Sequence, residues 1–226
     1  MNDIHKSVII EGDVTIGIKN KILPNTILIG PLRIGNNNII GPNVIIGSPG
    51  ADTRNPRYDS SNRLITIGDN NIIREFTAIQ KPAYEDLTSV GNNVYLMQSV
   101  NISHDALISD NVTISAMVAF AGKTRILDGA TISMGATIHQ RGVIGQYSIV
   151  GMGASVLKNV KPFSRYVPGK PISVNKYTIQ KYRFDDNADE ISNYVLNDVV
   201  PQTEKLKKII REFEDLHKKS GRDIYR

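Results

Sequence analysis

Along most of the chain one apolar residue returns at every sixth position. The beat runs through Ile4, Ile10, Ile16, Ile22, Leu28, Ile34, Ile40 and Ile46 and resumes at Ile67, Ile73 and Ile79. After a second break it runs from Val90 through Leu96, Ile102, Ile108, Ile114, Phe120, Ile126, Ile132, Ile138, Ile144 and Val150 to Val156. A helix repeats near 3.6 residues and a strand near 2, so a sustained period of six belongs to neither alone. It fits a coil of three short strands joined by turns, with equivalent strands of successive coils stacked about 4.8 Å apart. Glycine often follows the apolar residue, as in Ile16-Gly17, Ile34-Gly35, Ile67-Gly68 and Ile144-Gly145, and small or β-branched residues such as Val14, Thr26, Val112 and Ala154 stand two places before it. The pattern predicts an all-β chain, a parallel β-helix over residues 1–174, with a short α-helical C-terminal segment over residues 175–226.

Two stretches break the beat. Residues 48–65 and 81–89 are rich in Pro, Asp, Asn and Ser and are expected to loop out of the coil. Loops projecting from a rigid scaffold commonly carry binding groups; surface decoration is the alternative. Pro162, Pro168 and Pro171 are expected to end the strand ladder after Val156, because proline has no N–H to donate. In the tail, Leu206, Ile209, Ile210, Phe213 and Leu216 form one helical stripe, with Pro201 suited to a first turn and Gly221 to a terminus.

Composition narrows the function classes. Without cysteine there is no disulfide framework, thiolate nucleophile or cysteine metal site, and four histidines leave little for another metal cage, so no metal is expected. No apolar run approaches the roughly 18 residues of a membrane span, and the first residues lack a secretory pattern, so a cytoplasmic protein without a membrane partner is expected. A formal charge of +5 favours acidic partners, such as phosphates or an acidic carrier protein. Nucleic acid is not expected, because aromatic residues are sparse and form no base-stacking platform. Lys205, Lys207, Lys208, Arg211, Lys218 and Lys219 fall in the helical tail, where solvating a helix face is sufficient reason for them.

Coil geometry converts spacing into proximity, since residues about 18 apart stack on one edge at the strand spacing. His104, Lys123 and His139 are separated by 19 and 16 residues and are expected to line one edge of consecutive coils. A histidine suits general-base work near neutral pH, the N–H beside a glycine such as Gly122 can approach an oxyanion, and lysine can hold phosphate. Met152 reads from its residue type alone as a core gap-filler.

The stretches IGDNNIIREFTAI, NNVYLMQSVNISHDALI, AFAGK and IHQRGVIG resemble the bacterial UDP-N-acetylglucosamine O-acyltransferases that begin lipid A assembly, and their hexapeptide-repeat relatives. The likeness covers roughly residues 4–175; the hexads specify the superfamily, and the IREF and SHDA stretches are more specific. It implies a left-handed coil, where the usual crossover rule alone would give a right-handed one. It also implies a homotrimer with sites between subunits, a nucleotide-linked sugar as acceptor, and acyl-carrier protein (through its phosphopantetheine arm) or acyl-CoA as thioester donor, with no permanently bound cofactor. By position, His104 becomes the catalytic base, Asp105 its acidic partner, and Gly122 the oxyanion donor. His139 and Gln140 fall beside the acceptor and thioester arm, and Asp52 and Arg54 close to the acceptor. Asn175 and Lys181 fall at nucleotide-binding places, and Met152 where acyl length is limited. Lys123 and Asn101 stand where the lipid A enzyme has histidines.

The expected activity is therefore transfer of an acyl group from a thioester to a nucleotide-linked sugar by direct attack. One alternative is an acyl-CoA-dependent N-acyltransferase of a nucleotide-linked amino sugar, to whose relatives VPGKPI is similar. Another is a hexapeptide carbonic anhydrase, which requires a third histidine beside His104 and His139. The last is a noncatalytic β-helix binding module, which leaves the clustered His104, Lys123 and His139 without a role.

Overall fold

A computed structural model describes residues 1–51 and 53–226. Among them the strands form three sheets of ten, eight and seven strands, one for each face of a triangular prism. The first sheet runs from Asp3–Ile4 to Ser173–Val174, the second from Ile9–Glu11 to Ser155–Val156, and the third from Val14–Ile16 to Val143–Ile144. Successive strands of one sheet pair in parallel and in register, for example Ile102 beside Phe120 and Phe120 beside Ile138. The coil is a left-handed parallel β-helix with a short helical segment, the hand that the resemblance implied.

The six-residue beat is the core itself. Ile40, Ile73, Leu96 and Ile114 stack inside the first face, Leu28, Ile46, Ile79 and Ile102 inside the second, and Ile34, Ile67, Val90 and Ile108 inside the third. Each such side chain contributes about 1.5–3 kcal/mol on burial. The first hexads differ from the expectation: Ile4 and Ile10 are 39% and 46% exposed, because among the described residues no coil lies beneath them.

Between strands the chain turns through one residue in the left-handed region, and these recur every six positions at Asn93, Ser99, Asp105, Asn111, Met117 and Lys123. Asparagine serves a second purpose in the lower coils. Asn20, Asn38 and Asn71 are buried and stack as a ladder, the Asn38 Nδ2–H donating to Asn20 Oδ1 at 2.9 Å and the Asn71 backbone N–H donating to Asn38 Oδ1 at 2.8 Å. The side chains thus satisfy backbone groups that the tight turns leave inside.

The coil does not stop at the prolines. Ser164–Tyr166 adds a parallel strand to Ile149–Val150, and Ser173–Val174 then pairs with it antiparallel and closes the sheet. The prolines occupy the connections instead, where no ladder donor is needed. Helices α1 (Lys176–Lys181), α2 (Ala188–Asn197) and α3 (Glu204–Ser220) follow. Pro201 precedes α3 rather than opening it, Thr203 taking the N-cap position, whereas Gly221 adopts the left-handed C-cap at φ 65°. Leu206, Ile210 and Phe213 of α3 are buried, and Tyr147, Phe163 and Phe184 pack ring on ring to join coil and tail. The buried Lys161 ammonium donates to the carbonyls of Tyr194 and Val195 and pairs with Asp198 at 2.7 Å, closing the C-terminal end of α2.

Asn38→Ala is expected to destabilise the protein by about 1–3 kcal/mol, since it strands the Asn71 N–H and a Gly68 carbonyl in the interior. Chemical denaturation checks this, and a loss under roughly 0.5 kcal/mol, ordinary for a surface site, would show the ladder to be redundant.

Candidate active site

The corner between the second and third sheets carries His104 in the turn after Asn101–Ile102. Register brings Gly122 and Gln140 into line above it, and Lys123 and Arg141 above Asp105; the Lys123 N–H donates to the His104 carbonyl, and the Arg141 N–H to that of Gly122, each at 3.0 Å. His104 is 7% exposed. Its Nδ1 lies 2.7 Å from Asp105 Oδ2, so the carboxylate holds the proton on Nδ1 and leaves the Nε2 lone pair for the cleft. The ring lies so close to Gly122 that a β-carbon there would be 2.3 Å from His104 Cε1. Glycine is required at 122 for that reason. Among the described residues the Gly122 N–H has no hydrogen-bond partner.

Asp105 sits in a cage built by the second loop. Its Oδ1 accepts the N–H groups of Ala83 and Glu85 at 2.9 Å each and that of Tyr84 at 3.2 Å, while its own N–H donates to Thr88 Oγ1 at 2.9 Å. Burial pushes the carboxyl upward, but the bonds from His104 and from the three backbone N–H groups outweigh it and hold the group below its ordinary value. Arg125 braces the loop from the neighbouring coil, pairing with Glu85 at 2.6 Å and donating to the Asp105 carbonyl at 2.7 Å. The loop is thus part of the site and not decoration.

Above this pair opens a cleft of about 620 Å³, lined by Asn55 and Arg57 from the first loop, Tyr84 from the second, and Ser103, His104, Gly122, Lys123, Gln140 and Arg141 from the coils. The Tyr84 ring meets His104 edge-on at 5.4 Å, and the Lys123 ammonium lies 5.2 Å from the same ring centre and 3.7 Å from Glu85. With Arg57, Lys123 and Arg141 on its walls the cleft favours anionic ligands.

The structure brings His104, Asp105, Gly122, Lys123 and Gln140 together. Other candidates lie elsewhere. His139 shares the corner but lines a separate depression over the second sheet, its Nδ1 in contact with the Arg222 guanidinium. Asn101 lies on the outer face of that sheet, in register with Ala119. Arg54 is exposed and outside the cleft, where Arg57 stands instead, and Asp52 lies outside the described residues. Asn175 is buried, its amide donating to the Tyr147 carbonyl at 2.9 Å, and Lys181 lies over the Tyr177 and Tyr182 rings. Met152 is 75% exposed at the corner between the first and second sheets, not inside the core. Sequence reasoning missed Tyr84, Glu85, Arg57, Arg125 and Arg141; of these, Arg141 was open to discovery, since it stands 18 residues after Lys123.

No family model matches the chain. It is similar to the acyl-(acyl-carrier-protein)–UDP-N-acetylglucosamine O-acyltransferase of Verminephrobacter eiseniae, at 26% identity over 77% of this chain and 59% of that protein. The chain thus spans less than two thirds of that curated relative's length. The crystal structure of LpxA, a UDP-N-acetylglucosamine acyltransferase from Bacteroides fragilis, superposes with a TM-score of 0.82 at 27% identity, covering 100% of this chain and 98% of that one. The fold is that of LpxA, a hexapeptide-repeat coil. The Francisella novicida UDP-N-acetylglucosamine acyltransferase gives a TM-score of 0.83 at 26% identity, over 100% and 92% of the two chains. The LpxA-like coil is shared along its whole length. No helix among the described residues is long and apolar enough to cross a membrane.

Because the folded-state pKa of Asp105 is depressed, its contribution to stability is complete above its ordinary value of 3.8 and is lost as the pH falls through the lower folded value. Asp105→Asn is therefore expected to be less stable than the parent at every pH above 3.8, with the gap closing in stronger acid. Urea midpoints of both proteins across that range check the sign; a gap that widens in acid contradicts the cage.

Proposed function

We propose that this chain is an acyltransferase that moves an acyl group from the phosphopantetheine thioester of acyl-carrier protein to a hydroxyl of a UDP-linked N-acetylglucosamine. The observation that carries this reading is the buried His104–Asp105 pair, with Nε2 facing a cationic cleft across a glycine whose N–H has no partner among the described residues. The names of the relatives supply the donor and acceptor classes.

In the reaction, His104 Nε2 takes the proton from the sugar hydroxyl as its oxygen attacks the thioester carbonyl. The ionised Asp105 stabilises the imidazolium that forms. The Gly122 N–H donates to the developing oxyanion, and collapse of the tetrahedral species breaks the C–S bond. The departing thiolate then recovers the proton from Nε2, so no covalent enzyme intermediate arises. Arg57 and Arg141 suit an anionic part of the acceptor, and in this reading the chain works as a homotrimer in which Gln140 lines the cleft and His139 faces the acyl path, whereas Arg54, Asn175 and Lys181 lie outside the cleft of the single chain.

The acyl chain has a path across the second sheet. Outward residues Ala78, Asn101, Ala119, Thr137 and Ser155 are in register and small, and a depression of about 510 Å³ runs over Ala119, Thr137, His139 and Ser155. Met152 stands at the far end of these strands from His104, where its side chain limits chain length. The exposed Phe76, Met117 and Met134 share that corner with Met152 and give a neighbouring subunit an apolar seam to cover.

A second reading, an amine acceptor, draws on Lys123: it is occupied by Glu85 and Tyr84 at a position where the lipid A enzyme has histidine. Assays with hydroxyl and amino acceptors, each against acyl-carrier and CoA thioesters, separate the two.

His104→Ala is expected to lower kcat by about a hundredfold or more while thermal stability persists. Near-normal turnover removes His104 from the chemistry. Met152→Gly is expected to shift donor preference toward longer chains, each added methylene being worth about 0.8 kcal/mol when buried. Unchanged chain-length profiles would show that the groove ends before residue 152.

A further inference from the structure

A second depression shares a wall with the active-site cleft. It has a volume of about 390 Å³ and lies between the third sheet, Glu85 of the second loop and the end of α3; Lys123 and Arg141 line both cavities. Its charged lining is Lys123, Arg125, Arg141 and Lys219 against the single carboxylate of Glu85. That carboxylate is taken up, by Arg125 at 2.6 Å and Lys123 at 3.7 Å. Arg125 is also occupied by the carbonyls of Asp105 and Thr124 at 2.7 and 3.0 Å. Arg141 and Lys219 differ, for among the described residues neither has an ion-pair partner.

Two uncompensated cations facing one cavity leave a positive potential that a compact anion relieves. Guanidinium offers a planar fork that matches phosphate oxygens, and lysine adds a point charge from the opposite wall. The cavity is at the small end of the roughly 300–1,000 Å³ range of ligand pockets, which suits one charged group better than a whole nucleotide sugar. Arg141 reaches both spaces, so a ligand crossing it has its charged part on one side and its reacting end beside His104 on the other.

We propose that this depression is a phosphate subsite, holding the phosphate or diphosphate of a substrate whose reacting end occupies the neighbouring cleft. The substrate's identity rests on the acyl-transfer reading; the anion site itself does not. Two sources carry the chemistry, the nucleoside diphosphate of the acceptor and the phosphodiester of the donor's pantetheine arm.

Lys219 is exposed on α3, so Lys219→Glu is expected to fold normally, with Lys219→Gln as a milder companion. Calorimetric titration of the full chain with inorganic pyrophosphate, a UDP-sugar and coenzyme A tests the site. Pyrophosphate affinity should fall about tenfold or more in Lys219→Glu and less in Lys219→Gln. A parallel fall for the UDP-sugar assigns the subsite to the acceptor, and one for coenzyme A assigns it to the donor. Pyrophosphate affinity unchanged by both variants, or weakened with neither substrate probe affected, overturns the proposal. Loss of the acyl-transfer reading registers separately, as absent turnover by the parent protein with pyrophosphate binding intact.

Discussion

Every coil of this prism depends on the coil beneath it. A two- or three-residue strand cannot bury its apolar residue or satisfy its backbone alone, so both needs are met by the neighbour about one strand spacing away. The ends show what happens where a neighbour is missing. Ile4 and Ile10 remain exposed at the N-terminal end, whereas at the other end Ser164–Tyr166, Ser173–Val174 and the helices cover the last coils. Polar groups follow the same rule, each buried asparagine of the ladder serving the turn above or below it.

Stacking also explains how so regular a scaffold holds an irregular site. The turns can carry almost any side chain, because the residue in the left-handed region points away from the core; Asn93, Ser99, Asp105 and Met117 all occupy equivalent places. Asp105 is distinguished by what has been inserted beside it. The second loop interrupts the coil just below and turns three N–H groups onto its carboxylate. An ionised group so deeply buried requires that compensation, and it then orients His104.

The fold was legible in the sequence because one period encodes one structural unit. Reading Ile102, Phe120 and Ile138 as a stack needed only their spacing, and the same arithmetic put His104, Lys123 and His139 at one corner. What escaped notice came from outside the period. Tyr84 and Glu85 belong to a loop whose path no repeat determines, and Arg125 became relevant only when that loop supplied Glu85. His139 shows the opposite limit, for its spacing put it on the correct corner while its side chain lines another depression and meets Arg222, far along the tail. Spacing fixes which corner a residue occupies; side-chain direction depends on contacts that are distant in sequence.

A scaffold in which each coil meets only its neighbours confines the consequences of change. Substituting a corner residue disturbs one turn, and lengthening a surface loop adds little closure entropy, each doubling costing only about 0.6 kcal/mol. Lys123 and Arg141 occupy corners in this sense, free of the core that Phe120 and Ile138 fill directly behind them. The charge of the cleft can therefore vary without altering the coil. The His104–Asp105 pair lacks that freedom, because Gly122, the second loop and Arg125 must all be in place for it to exist. Ligand preference is thus set on the corners, while the proton-transfer geometry is fixed by the contact between loop and coil.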